Sequence, residues 1–171
     1  MIQPVAKAPA QMALWFWLLQ WGSPVLLLAV AWIPLGEPIP LPIQLLFTLM
    51  AVLSAVLFVI PPRRLGYALT DKGLQVSRLS STATWPYAQL RASPTSGRLG
   101  LKMGGTGMAG YYTGNYQWSG EGPKHVQAVA SRTTGGVLVE VQGQSQSYFL
   151  TPADPAEFLR QLRHRGAAVT D

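Results

Sequence analysis

Between Lys7 and Arg63 the chain carries a single charge, Glu37. No other feature restricts the fold as much. On either side of Glu37 runs a stretch of uncharged, mostly apolar residues, from about Met12 to Ile33 and from about Leu41 to Ile60. About 20 apolar residues in a helix cross the roughly 30 Å of hydrocarbon in a bilayer. The polar residues inside the runs, Gln20, Ser23, Gln44, Thr48 and Ser54, are uncharged, so they leave insertion favourable. The spacing therefore predicts a tail (1–11) and two transmembrane helices (12–33 and 41–60). Gly22 and Pro24 are expected to bend the first helix, because proline lacks a backbone donor and clashes with the preceding turn.

The connector PLGEPIPLP (residues 34–42) is short and proline-rich, which predicts a tight antiparallel hairpin. Lys7 flanks one end of the hairpin; Arg63 and Arg64, in a basic juxtamembrane linker (61–64), flank the other. Positive residues stay on the cytoplasmic side. This places the N-terminus and everything after Arg64 in the cytoplasm, with the Glu37 turn outside the inner membrane. Trp15 and Trp32 suit an interfacial belt. Trp17 and Trp21 share a helix face, fit for packing against the second helix or lipid, or for a groove. A competing reading takes Ala29-Val30-Ala31 as a signal-peptide cleavage site. Gln20, Gly22 and Pro24 interrupt the apolar core that such a signal needs.

After Leu65 charges become regular, and the long apolar runs end. Charged residues make up 12% of the chain, against about 25% in an ordinary soluble domain; the deficit belongs to the hairpin. The basic residues beyond Leu65 are dispersed and form no run, which argues against nucleic acid. The absence of cysteine excludes disulfides, thiolate metal sites and cysteine nucleophiles.

Period-2 patterning predicts strands at 65–69 and 73–79 around the turn TDKG, an extended or turning segment at 85–90, and strands at 99–103, 125–131, 137–141 and 147–150. Gly135-Gly136 and Gln142-Gly143-Gln144 supply turns. One helix closes the domain. Asp154 suits its N-cap, Pro155 the first turn and Glu157 the third position of a capping box. Phe158, Leu159 and Leu162 form its apolar face. Arg160, Arg163, His164 and Arg165 suit its C-terminal end, and Gly166 its stop. The expected fold is a two-helix transmembrane hairpin followed by a mostly β barrel or sandwich (65–166) capped by one C-terminal helix, then a tail (167–171).

The segment resembles the bacterial PH-like domains of small membrane-anchored proteins. The resemblance rests on YALTDKGL (67–74), WPYAQL (85–90), a middle stretch with Arg98, Gly100, Gly110, Gly114 and Tyr116, and YFLTPADPAEF (148–158). It implies a PH-like fold in a membrane setting and brings no active-site residues with it. The arginine-rich phosphoinositide pocket of eukaryotic PH domains is not visible here.

The segment Ser93–Pro123 is the least regular and reads as a long loop or irregular hairpin. Its G-x-G-x-x-G at 105–110 lacks the following helix that a dinucleotide site requires, so no cofactor is expected. Tyr111, Tyr112, Tyr116 and Trp118 are either exposed anchors for headgroups or a partner, or packing that fills space left by the glycines. Arg98, Lys102, Lys124 and Arg132 would form a basic patch beside them if neighbouring strands bring them together; otherwise they are a solvated face. His125 and His164 have no metal-ligand spacing, and a pair of His125 with Glu121 is generic. No nucleophile elbow occurs. The expectation is a non-catalytic binding or scaffold module at the cytoplasmic face of the membrane, engaging anionic lipid headgroups, an unidentified membrane-protein partner or a second copy. The alternatives are a small subunit or assembly factor of a larger membrane complex, or an enzyme acting on lipid or envelope substrates.

Overall fold

The computed structural model describes residues 2–3, 10–33, 39–108 and 110–170. The chain divides into two units, Pro9–Arg63 and Met1–Ala8 with Arg64–Asp171.

The first unit is a pair of helices, α1 (Ala10–Trp32) and α2 (Leu41–Arg64). Pro24 is accommodated inside α1. Ser23 Oγ lies 2.8 Å from Ser54 Oγ, and Trp32 Nε1 donates to Thr48 Oγ1 at 3.1 Å. As the residue number rises on one helix it falls on the other, so the two run antiparallel. Ala31 and Ala51 are buried; small side chains let apolar helices approach closely. Larger apolar side chains, such as Leu26, Leu41 and Leu49, are exposed. Among the described residues, no helix is long and apolar enough to cross a membrane. The two expected spans therefore stand in the structure as helices, not as demonstrated crossings. Residues 61–64, expected as a linker, are the last turn of α2. Lys7 and Glu37 lie outside the described residues, as do the side chains of Trp15 and Trp17.

The second unit is mostly β. Its strands are β1 (Ile2–Gln3), β2 (Gly66–Thr70), β3 (Gly73–Ser77), β4 (Thr82–Trp85), β5 (Leu90–Pro94), β6 (Arg98–Lys102), β7 (Thr106–Met108), β8 (Tyr111–Ser119), β9 (His125–Ala130), β10 (Val137–Val141), β11 (Ser147–Leu150) and β12 (Ala168–Val169), with α3 at Pro155–His164. One sheet has the order β1-β2-β3-β4. The other follows β12-β5-β10-β11-β9-β8-β6, with β7 also on β8. A sandwich of two sheets with a C-terminal helix fits the PH-like fold. Both expected tails contribute strands: β1 pairs with β2, and β12 pairs parallel with β5.

The main core lies between the sheets. Tyr67, Leu69, Leu74 and Val76 from one sheet meet Val137, Val139 and Leu150 from the other. Helix α3 adds Phe158, Leu159 and Leu162, each stabilising by about 1.5–3 kcal/mol on full burial. Asp154 caps α3 by accepting from the Glu157 N–H at 2.9 Å. The Glu157 side chain pairs instead with Gln161 and Arg160.

The larger sheet is strongly curled. Strands about 4.8 Å apart would put β5 and β6 about 24 Å apart in a flat sheet. The link between them, residues 95–97, reaches at most about 14 Å. The sheet therefore bends until the Leu99 N–H donates to the Thr133 carbonyl, in the β9–β10 loop, at 2.9 Å. The curl encloses a second apolar cluster of Leu99, Tyr116, Trp118, Val126, Ala128, Ala130, Leu138 and Phe149.

Candidate functional site

The segment 93–123, expected as a long loop or irregular hairpin with a strand at 99–103, holds strands β6 to β8, with β6 and β7 both antiparallel to β8, and it positions the candidate residues. Successive side chains of a strand point to opposite faces. Tyr116 and Trp118 share the enclosed face of β8, and the Trp118 ring packs on Phe149 with centroids 5.1 Å apart. Its indole N–H donates to the Glu121 carbonyl. Tyr111 turns to the main core, and its hydroxyl accepts from the Leu79 N–H. Tyr111, Tyr116 and Trp118 are buried, and Tyr112 is half-buried. Of the two readings left open for the aromatics, these three take the packed one and are not exposed anchors. The physical reason lies in the glycines: a Cβ at Gly97 would come within 2.2 Å of the Trp118 ring, so the indole occupies the space that this residue leaves empty. Burial also raises the Tyr112 and Tyr116 phenol pKa values.

The cations fare differently. Arg98 and Lys102 open and close β6 and are exposed; Lys124 is exposed just before β9, and Arg132, after β9, is half-buried. Leu99 pairs with Trp118, whose N–H donates to the Lys124 carbonyl at 3.0 Å. The Leu99 N–H itself reaches Thr133, the neighbour of Arg132. Strand register and the curl thus gather the backbone around Arg98, Lys124 and Arg132 about one strand pair, with Lys102 further along β6 opposite Tyr116. Arg132 donates from Nη2 to the Gly135 carbonyl, while its Nε is buried without a partner among the described residues.

Two features were missed by sequence reasoning. Leu101 and Met103, at the β6 edge, are 72% and 60% exposed. The patterning did signal an apolar β6, but only the curl and a bulge between Leu99 and Lys102 decide which of its residues face outward. The second is an apolar groove of about 470 Å³ lined by Pro94, Pro155, Ala156, Leu159, Arg160 and Val169, among others, between α3 and the β5 edge. There β12 adds as a parallel strand, with Ala168 opposite Arg91 and Thr170 N–H donating to the Ala92 carbonyl.

His125 opens β9 and His164 closes α3, both exposed. No group of three or more His, Asp or Glu residues fit to hold a metal occurs among the described residues. A polar cleft of about 560 Å³ lies at the β10–β11 turn, lined among others by Gln89, Arg91, Glu140, Gln142, Gln144 and Ser147.

Two packed sheets, a capped C-terminal helix and surface grooves define a PH-type module, a class of domain that in general binds rather than catalyses. The chain belongs to the bacterial PH domain family, whose model matches residues 65–166. Neither a curated protein nor a solved structure matches the chain.

Proposed function

We propose that the protein is a membrane-anchored, non-catalytic PH-domain binding module. Its hairpin sits in the inner membrane, and its N-terminus and PH domain lie in the cytoplasm. The observation that carries this reading is the inverted polarity of the helix pair. Ser23 bonds Ser54 across the helix pair and Ala31 and Ala51 are buried, while many large apolar side chains are exposed. Exposed apolar surface of this extent marks contact with lipid or another apolar partner. The backbone of α2 is helical through Phe58 and Val59, whose side chains lie outside the described set, and no charge occurs from Leu41 to Ile60. Further support comes from β1, which precedes α1 yet pairs with β2, which follows α2. A chain that enters and leaves at one side is what a two-span anchor requires.

The test is alkaline extraction of membranes containing the full chain. Retention in the pellet is expected. Complete release, with the protein still folded, would sink the reading.

A second reading, in which the PH domain takes an extended segment of a protein partner, is favoured by the α3–β5 groove. β12 itself takes the β5 edge, so the space for such a segment is the apolar groove between Val169, Pro94 and α3. Ala156→Asp, at an exposed position of the groove, would abolish such capture, and partner crosslinking of the full chain unchanged by that variant would rule the groove out.

A further inference from the structure

Large apolar side chains on the surface of the β unit are few. Among its described residues Leu79, Leu101 and Met103 are exposed, and two of the three belong to the β6 edge. The same edge carries Arg98 and Lys102, with Lys124 and Arg132 brought close by strand pairing and curl. Glu121, in the β8–β9 turn, is the acid among them. Exposed apolar side chains on an edge that also carries cations, with more on the neighbouring strands, are the composition of a surface that settles at the boundary of headgroups and acyl chains.

We propose that the β6 edge docks on an anionic bilayer surface, with Leu101 and Met103 entering the headgroup layer and Arg98, Lys102 and Lys124 meeting lipid phosphates. The inference rests on the membrane reading above for the nearness of a bilayer. It names a surface of the PH domain itself as a lipid contact, separate from the hairpin.

A second copy is the competing occupant, because β6 ends its sheet path and, apart from the Leu99 N–H bond to Thr133, such an edge is a template for strand addition. The charges argue against it. Antiparallel self-pairing centred on Gly100 would set Arg98 opposite Lys102 of the other chain, and like charges directly opposite destabilise a pair. The bulge between Leu99 and Lys102 also breaks the flat edge that strand addition needs. An anionic surface turns the same charges into an attraction.

The chain has no cysteine, so Leu101→Cys and Met103→Cys each give a single labelling site on an exposed side chain. The full chain carrying an environment-sensitive fluorophore at either site is added to phosphatidylcholine vesicles with and without phosphatidylglycerol. Gln144→Cys, on an exposed turn, serves as the control. The expected result is a blue shift and quenching by nitroxide lipids at 101 and 103 with anionic vesicles. High salt, or Arg98→Glu with Lys102→Glu, abolishes both effects, and the control shows neither. Labels that stay in water on both vesicle types overturn the proposal. So does pyrene excimer emission at 101 that follows protein density whatever the lipid charge, which assigns the edge to a second copy. Retention after alkaline extraction with water-exposed labels sinks this proposal and leaves the anchor standing. Release on extraction with charge-dependent burial of the labels does the reverse.

Discussion

Tyr67 places a hydroxyl in the middle of the β unit's core. It donates to the Val129 carbonyl and accepts from the Thr151 N–H at 3.0 Å, tying β2 to the other sheet. Thr151 Oγ1 in turn accepts from the Ser131 N–H at 2.8 Å. Removing one partner from a buried pair leaves the other unsatisfied, at a cost of about 1–3 kcal/mol. Tyr67→Phe is therefore expected to destabilise the fold by that amount, measured by denaturant unfolding in detergent. Burial pushes the Tyr67 phenol up to about 12, against the lowering effects of Thr151 and Arg132. A raised tyrosine pKa means that the folded state holds its proton longer than the unfolded chain. Stability from this group is then complete below about pH 10 and declines as pH rises from about 10 to 12. Tyr67→Phe should flatten most of that decline. Tyr87, Tyr112 and Tyr116 are shifted the same way by burial, and they leave a residual slope.

At the scale of elements, the edge of β8 changes partners from β6 to β7 where Gly104-Gly105 meets Gly114. A Cβ at Gly114 would lie 2.2 Å from the Gly104 carbonyl oxygen, and φ there is +112°. Gly114→Ala is expected to cost about 1–3 kcal/mol, read as a lowered thermal midpoint. Such contacts explain what the sequence hid. Glycine weakens strand propensity, so β8, with Gly110 before it and Gly114 inside it, reads only as part of a loop or irregular hairpin. Its pairing with β6, β7 and β9 is decided by partners distant in sequence. The same is true of β12, two residues whose strand character exists only against β5. By contrast α3 was legible in its Asp154 cap, first-turn proline and apolar face, which are all local, while Glu157 turns to Gln161 and Arg160 and leaves its half of the capping box unmade. The basic residues were legible as a set, but their gathering at β6 needed the curl, and Leu101 and Met103 needed the bulge to reveal that they face outward.

For the whole molecule, two arrangements carry the account. The helix pair bonds Ser23 to Ser54, buries Ala31 and Ala51, and exposes many of its large apolar side chains. The strands on either side of it, β1 and β2, pair with each other. Together they support an anchor entered and left on one side, carrying a bacterial PH domain. The measurement that tests this most directly uses Glu37→Cys and Thr82→Cys in the otherwise cysteine-free full chain, treated with a membrane-impermeant maleimide in intact cells and again after permeabilisation. The account predicts labelling at 37 in intact cells and at 82 only after permeabilisation. Equal labelling of both sites in intact cells, or of neither until the membrane is opened, would contradict it.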